Sequence, residues 1–191
     1  ATGTELLRRG WRTELPLWSA SALLGAPDLV RAIHADYVAA GAEIVTANTF
    51  RTNPRVMARA GMASRGPELT RLAVSLARAA GAPFVAGSIA PVEDCYRPDL
   101  VPAAAALRAA PAEMAVCLAE AGCDLLLVET MNTIREASLA AAAAHATGLP
   151  VAVAFICGPD ARLLGGEIPA AAARAAEAAG ACAVLVNCTP L

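Results

Sequence analysis

Lysine is absent from this sequence of 191 residues, histidine occurs only twice, and aromatic residues make up 4% of it. The 15 basic side chains are all arginines, scattered along a chain whose formal net charge is −2. Nucleic-acid binding needs a clustered basic surface, and no such cluster occurs, so we expect no nucleic-acid partner. His34 lies on the apolar face of a predicted helix and is expected to be structural. Neither His34 nor His145 is paired with a serine or cysteine in a pattern typical of nucleophilic catalysis.

Long apolar runs are also absent, although hydrophobic residues make up 57% of the chain and its mean hydropathy is +0.52. The excess is mostly alanine, and no run approaches the roughly 20 residues that cross a membrane. No secretory signal is visible. The six cysteines form no C-x-x-C pair and are too sparse for a secreted disulfide scaffold. We therefore expect reduced thiols in a cytoplasmic protein that has no membrane partner.

Five short apolar runs are present, and each is continuous rather than alternating. This pattern is typical of parallel strands that are covered on both faces. The runs are Glu43–Thr49, Phe84–Ile89, Leu125–Thr130, Val151–Cys157 and Ala183–Cys188.

Helical patterns lie before and between these runs, and most have proline near the start and glycine just past the end. They cover Pro27–Ala40, Glu68–Ala80, Pro111–Ala121, Thr133–Thr147 and Pro169–Ala179. The alternation predicts an α/β fold with a parallel sheet, either a (β/α)8 barrel or a doubly wound sheet. No G-x-G-x-x-G follows any strand, which argues against the doubly wound sheet.

Polar residues stand at the predicted strand ends, where barrel enzymes carry their active sites. Glu129 follows the run LLLV, so its carboxylate is either an anchor for a substrate ammonium or the partner of Arg51 or Arg135 in an ion pair. Asn48 and Thr49 are candidates for substrate binding, or else cap the loop that follows them.

Cys188 is the candidate metal ligand, because thiolates suit Zn²⁺. One cysteine cannot hold zinc, and Cys157 ends the preceding strand, so a Cys157/Cys188 pair would still be two ligands short of a tetrahedral site. The residues alone therefore leave metal binding and a packed thiol both open.

A set of motifs resembles, in the same order, the signature blocks of homocysteine S-methyltransferase domains. The stretch ATGTELLRRG is similar to the end of the D-G-A-M/T-G-T-E-L signature that opens these domains. The next block shares the phrases H-x-x-Y-x-x-A-G-A and T-x-N-T-F/Y. The matching stretches are LVRAIHADYVAAGAEIVTANTFRTN, VAGSIAP, AGCDLLLVET, PVAVAFIC and VNC, and together they cover essentially the whole chain.

The resemblance implies a (β/α)8 barrel that transfers a methyl group from a sulfonium or related donor to the zinc-bound thiolate of L-homocysteine, giving L-methionine. It also implies three cysteine ligands for zinc, of which Cys188 in the V-N-C motif is the first. The other two belong to a G-G-C-C-G motif that does not occur in this sequence. We therefore expect residues 1–191 to be a partial homocysteine-binding barrel domain, incomplete, with strands two to six present, the first strand cut and the last two missing.

The family's substrate-binding positions match four residues of this chain. The amides of Thr2 and Gly3 would hold the amino-acid carboxylate, Glu129 would bind the amino group, and Thr49 would line the pocket. No catalytic residue is expected beyond the metal site. Cys157 matches a position where some members have cysteine, but that position is not a ligand in the family. The methyl donor stays open among S-methylmethionine, S-adenosylmethionine, betaine and a methylfolate/cobalamin system.

Two alternatives to the methyltransferase remain. One is a non-catalytic barrel remnant that binds an amino acid or a partner, and the other is a metal-free barrel lyase that uses Glu129 as a base. An incomplete barrel also leaves unpaired strand edges, which favour association. We therefore expect the isolated chain to be marginally stable or to associate, with a homo-oligomer among the outcomes.

Overall fold

The structure is a computed structural model that describes residues 2–189. Its helices are α1 (Thr2–Arg8), α2 (Ser21–Gly25), α3 (Pro27–Ala39), α4 (Pro54–Arg59), α5 (Gly66–Ala79), α6 (Ala104–Glu120), α7 (Ile134–His145) and α8 (Pro169–Ala178). Its strands are β1 (Ile44–Thr46), β2 (Phe84–Ile89), β3 (Leu125–Met131), β4 (Val151–Phe155) and β5 (Ala183–Val186). No helix within this range is both long enough and apolar enough to cross a membrane.

The predicted alternation of strands and helices is confirmed. Strand β2 has the predicted bounds, β3 is one residue longer than predicted, and the other three strands are shorter. The strand order is β1-β2-β3-β4-β5, and β1 pairs with β2, β3 with β4, and β4 with β5 in parallel. Neighbours in space are thus neighbours in sequence, as in a (β/α)8 barrel, whereas a doubly wound sheet reverses its order at a switch point. Which strands of an eight-stranded barrel these five are stays a prediction.

Helices end where the sequence places glycine. Gly41 follows α3 with a φ of 98°, and Gly180 follows α8 with a φ of 100°. Only glycine adopts this left-handed conformation without steric cost, so it turns the chain out of the helix and into the next strand. The repeated A-G phrase before the strands is therefore a backbone signal and not a binding motif.

The sequence misplaces the start of one helix and misses another helix. Helix α6 begins at Ala104 rather than at Pro111, which lies inside the helix. The alanines before Pro111 favour helix strongly enough to extend it past the proline. Helix α4 was not predicted, and it begins directly after Asn53, whose side chain accepts a hydrogen bond from the Val56 N–H at 3.0 Å. Asparagine followed by proline is a helix start as well as a turn signal.

Contacts divide the chain into two compact units. The first is Ala1–Ser88 with Cys117–Asp124, and the second is Ile89–Val116 with Leu125–Leu191. Whether residues 1–191 form a single domain therefore stays a prediction. In the first unit α1, α2 and α5 pack against α3, around buried Leu6, Ile33 and Leu69. Burial lowers the pKa of His34 in α3 to about 4, so this histidine is neutral at pH 7 and belongs to the core.

In the second unit α7 packs against β3, β4 and α8. Thr133 caps α7 by accepting from the Glu136 N–H at 3.3 Å. The side chain of Glu136 is 1% exposed, and its Oε1 accepts from the Val92 N–H at 2.8 Å. Its Oε2 has no hydrogen-bond partner among the described residues. Burial raises the pKa of Glu136, although the bond from Val92 opposes that shift.

We expect Glu136→Gln to raise the melting temperature at neutral pH and to raise it less as the pH falls towards the unfolded glutamate pKa of about 4.3. A carboxyl whose pKa rises on folding contributes stability below its unfolded pKa, and this contribution is lost as the pH rises through the folded value. Glutamine does not titrate and can still accept from Val92. Thermal unfolding of both proteins across this pH range measures the difference. Glu113→Gln, at an exposed position of α6, is the control, and a pH-independent gain for Glu136→Gln would contradict the prediction.

Candidate functional site

One asparagine joins the ends of β3 and β5. The Nδ2 group of Asn187 donates to Glu129 Oε2 at 2.9 Å and to Thr130 Oγ1 at 3.1 Å. Its Oδ1 accepts from the Thr130 N–H at 3.1 Å. Glu129, Thr130, Asn187 and Cys188 are therefore one hydrogen-bonded group, which we call the strand-exit cluster. It contains both residues that the sequence marks as strongest in the second unit, Glu129 and Cys188.

The cluster forms because the chain leaves regular strand geometry at this level. Val186 is the last residue of β5 in register with β4, opposite Phe155, and the Asn187 N–H still donates to the Phe155 carbonyl at 3.0 Å. On the other side of β4 the register shifts between Val128 and Met131. This irregularity turns the end of β3 and brings the Thr130 N–H to a side-chain acceptor instead of a neighbouring strand.

Two residues of the cluster have left-handed backbone conformations. Thr130 has a φ of 60° and Cys188 has a φ of 50°. Such a conformation is uncommon for any residue except glycine, and for a β-branched threonine it costs on the order of 1–3 kcal/mol. The two hydrogen bonds between Thr130 and the Asn187 side chain offset part of this cost.

The thiol of Cys188 is exposed and lies beside polar groups. The Thr130 hydroxyl donates to Cys188 Sγ at 3.8 Å, which is within the range for sulfur acceptors. Burial raises the pKa of Tyr96, and the charge of a Cys188 thiolate raises it further. Cys188 is therefore a reachable sulfur with a hydrogen-bond donor, not a thiol packed into hydrocarbon.

Cys157 differs from Cys188 in its surroundings. It is 7% exposed, and burial raises the pKa of its thiol. Its backbone N–H donates to Thr189 Oγ1 at 2.9 Å. Within residues 2–189, no three His, Cys, Asp or Glu side chains come together as a metal site requires. The described residues thus offer Cys188 as a single ligand and do not complete a zinc site by themselves.

Arg135, one of the two arginines considered as an ion-pair partner for Glu129, donates to the carbonyls of Val101 and Pro102 at 3.4 and 3.3 Å. Arg51, the other arginine, has its guanidinium 5.6 Å from the centre of the Phe50 ring.

In the first unit, Thr2 and Gly3 begin α1. A Cβ atom on Gly3 would lie 2.5 Å from Cζ2 of Trp18, so only glycine allows the indole to pack on this helix. Thr2 is partly exposed. The structure thus gives Gly3 a packing role, and the carboxylate-binding role of Thr2 and Gly3 stays a prediction.

Thr49 is fully buried at the end of β1. Its hydroxyl donates to the Ser88 carbonyl at 2.9 Å and accepts from the Ser88 N–H at 3.0 Å. Asn48 beside it donates to the Ser19 carbonyl at 2.9 Å. Both side chains fasten the end of β1 to its neighbours in the first unit. A substrate contact of Thr49 stays a prediction.

Thr130, Asn187 and Tyr96 are members or neighbours of the cluster that received no role from the sequence. Asn187 and Thr130 were visible as polar residues at strand ends, directly before Cys188 and after Glu129. Their mutual contact spans 57 residues, and no local pattern reports it. Tyr96 lies in the loop after β2, where a single aromatic residue gives no signal.

Comparison with known proteins identifies relatives of this chain. The model of the homocysteine S-methyltransferase family matches residues 1–191. The homocysteine S-methyltransferase of Escherichia coli (strain K12) is 33% identical over 159 residues, which are 71% of this chain and 50% of that protein. Homocysteine S-methyltransferase YbgG of Bacillus subtilis (strain 168) is 29% identical over 158 residues, which are 72% of this chain and 50% of that protein.

A solved structure gives the same relationship. The metallated form of the E. coli homocysteine methyltransferase MmuM superposes with a TM-score of 0.89 at 28% identity, over all of this chain and 73% of that one. The chain spans about half the length of the curated E. coli and B. subtilis relatives. Because the family match extends over every residue, the resemblance found in the sequence is confirmed: the chain belongs to the homocysteine S-methyltransferase family.

Proposed function

We propose that the protein transfers a methyl group from a sulfonium or related donor to the sulfur of L-homocysteine, giving L-methionine. The observation that carries this proposal is the strand-exit cluster, in which a carboxylate and an exposed thiol are joined through one asparagine. Family membership and the homocysteine S-methyltransferases of E. coli and B. subtilis to which the chain is similar support it.

Glu129 would bind the ammonium group of the amino acid. Its carboxylate is partly exposed and accepts a hydrogen bond from Asn187, which limits its orientations. An ionised carboxylate makes a charge-assisted hydrogen bond with an ammonium, which is stronger than a bond between neutral groups. The amino acid would thereby be fixed at its amino end, and its sulfur would lie towards Cys188 and the metal ion that this residue would help to hold.

Cys188 would supply one thiolate ligand to a zinc ion. Its sulfur is soft and exposed, and the Thr130 hydroxyl beside it is the kind of second hydrogen-bonding partner that orients a metal ligand. Bound zinc keeps a coordinating thiol deprotonated. The two further cysteines that the family resemblance implies belong to a motif that does not occur in these 191 residues.

Methyl transfer to sulfur asks mainly for alignment. The thiolate forms a bond to the methyl carbon, and the donor leaves with the electron pair of the broken bond, so no proton has to move at the carbon. The strand-exit cluster suits such a reaction, because its side chains can hold the substrate in one orientation. It contains no histidine, and the reaction needs none as an acid or base. The roles assigned to Thr2, Gly3 and Thr49 belong to the same proposal and rest on the family motifs alone.

We expect Cys188→Ser in the full-length protein to reduce bound zinc and to abolish methionine formation, because serine is a much poorer zinc ligand than thiolate. Zinc per protein, measured by atomic emission, and methionine produced from homocysteine are the two readouts. Cys157→Ser is the matched control, since this cysteine follows the adjacent strand β4 but is buried. Full zinc content in Cys188→Ser, or an equal loss in the control, would contradict the assignment.

We expect Glu129→Gln to weaken L-homocysteine binding by roughly tenfold to hundredfold, since the ammonium loses its counter-charge while the side chain keeps its size. Calorimetric titration of zinc-loaded protein with homocysteine measures the change. Glu177→Gln, at an exposed position of α8, should bind like the unmodified protein. Unchanged affinity in Glu129→Gln would remove the ammonium-anchor role, and unchanged zinc-dependent methyl transfer would also remove the lyase that uses Glu129 as a base.

A further inference from the structure

We infer that Asn187 is a positioning residue for substrate binding: it orients the Glu129 carboxylate and sets the spacing between that carboxylate and the thiol of Cys188. This inference rests on the proposed function, because Glu129 must receive the substrate ammonium for its orientation to matter.

The hydrogen bonds fix which way the amide faces. The Nδ2 end meets the acceptor Glu129 Oε2, and the Oδ1 end meets the donor N–H of Thr130. A flipped amide would place an oxygen against the carboxylate and an NH2 group against a backbone N–H. Both contacts would then be repulsive, so the orientation follows from the partners and not from an arbitrary choice between N and O.

The backbone of Asn187 is held as firmly as its side chain. Its N–H donates to the Phe155 carbonyl at 3.0 Å, and its carbonyl accepts from Thr189 Oγ1 at 3.1 Å. The side chain therefore starts from a fixed point on β5 and ends on Glu129. A glutamate has three rotatable side-chain bonds, and a bond to a fixed partner removes much of that freedom before any substrate arrives.

The same residue connects the anchor to the thiol. Cys188 follows Asn187 in the chain, and the hydroxyl of Thr130 lies between them in the network, since it accepts from Asn187 Nδ2 and donates to Cys188 Sγ. Homocysteine carries its amino group and its sulfur on a short chain. A site that holds both needs a set distance between carboxylate and metal-binding sulfur, and Asn187 spans that distance.

Other side chains lack some part of this function. Aspartate can accept from Thr130 but has no donor for Glu129 and adds a like charge. Alanine keeps neither bond. Both variants therefore lose the contact to Glu129, but only the aspartate keeps an acceptor for the Thr130 N–H. Comparing their affinities separates the positioning of Glu129 from the support of the Thr130 backbone.

The test measures binding of two probes to zinc-loaded, full-length protein by calorimetry. The probes are L-homocysteine and γ-mercaptobutyrate, which is homocysteine without its amino group. We expect Asn187→Ala and Asn187→Asp each to lower the affinity for L-homocysteine roughly tenfold or more. The affinity for γ-mercaptobutyrate should fall by no more than about twofold. Because Asn187 acts through Glu129, Asn187→Ala should add little to the loss already caused by Glu129→Gln, which a double-mutant cycle reports.

Thr147→Ala is the matched control. It removes the hydrogen bonds of a threonine side chain with the backbone of Ala144 and Leu149 at the end of α7, away from the strand-exit cluster, and it should leave homocysteine affinity unchanged. Equal weakening of both probes, or additive losses in the double mutant, would overturn the inference in favour of a purely structural role. If Asn187→Ala fails to fold, Asn187→Asp decides between these outcomes. Unmodified protein that does not bind homocysteine would instead refute the proposed function, so the two failures are distinguishable.

Discussion

The amide of Asn187 is the contact on which the candidate site depends. Parallel strands bring their carboxyl ends to one edge of a sheet, but strand pairing alone leaves the side chains at that edge free to choose among rotamers. Here β4 separates β3 from β5, and the side chain of Asn187 reaches across to Glu129 and Thr130. The fold thus places the ends of β3 and β5 near each other, and the side chain of Asn187 fixes how their polar groups are arranged.

The polar groups at the strand ends divide into two kinds by exposure. A buried polar group has to find a partner within the protein, and Thr49 does so with both the N–H and the carbonyl of Ser88. Cys188 is exposed and Glu129 is partly exposed, so they can make contacts with a ligand. Both kinds are polar residues at strand ends, so residue type and position do not separate them. Exposure and the number of hydrogen bonds within the protein do separate a structural residue from a candidate binding residue.

The sequence was sufficient for the alternation of strands and helices, because continuous apolar runs and helix-ending glycines are local signals. It was also sufficient to select Glu129 and Cys188 as candidates, and the family motifs gave the roles that we propose for them. It could not give the roles of Asn187 and Thr130, since their bond spans 57 residues and depends on a left-handed threonine that no propensity favours. Glu136 is a similar case. It lies near the start of an alanine-rich helix, and no local pattern reports that it is buried and accepts a hydrogen bond from the Val92 N–H, 44 residues away in the chain.

The chemistry of the cluster fits a thiol-bearing amino acid better than it fits a general base. A general base has to approach the proton that it takes from its substrate, whereas a counter-ion has only to stay in place. The hydrogen bond from Asn187 limits the orientations of the Glu129 carboxylate, which suits a counter-ion. An ammonium anchor next to an exposed sulfur therefore uses every contact in the cluster, whereas a metal-free lyase would leave Cys188 and its bond from Thr130 without a purpose. The arrangement thus favours substrate positioning over proton transfer as the work done at this edge of the sheet.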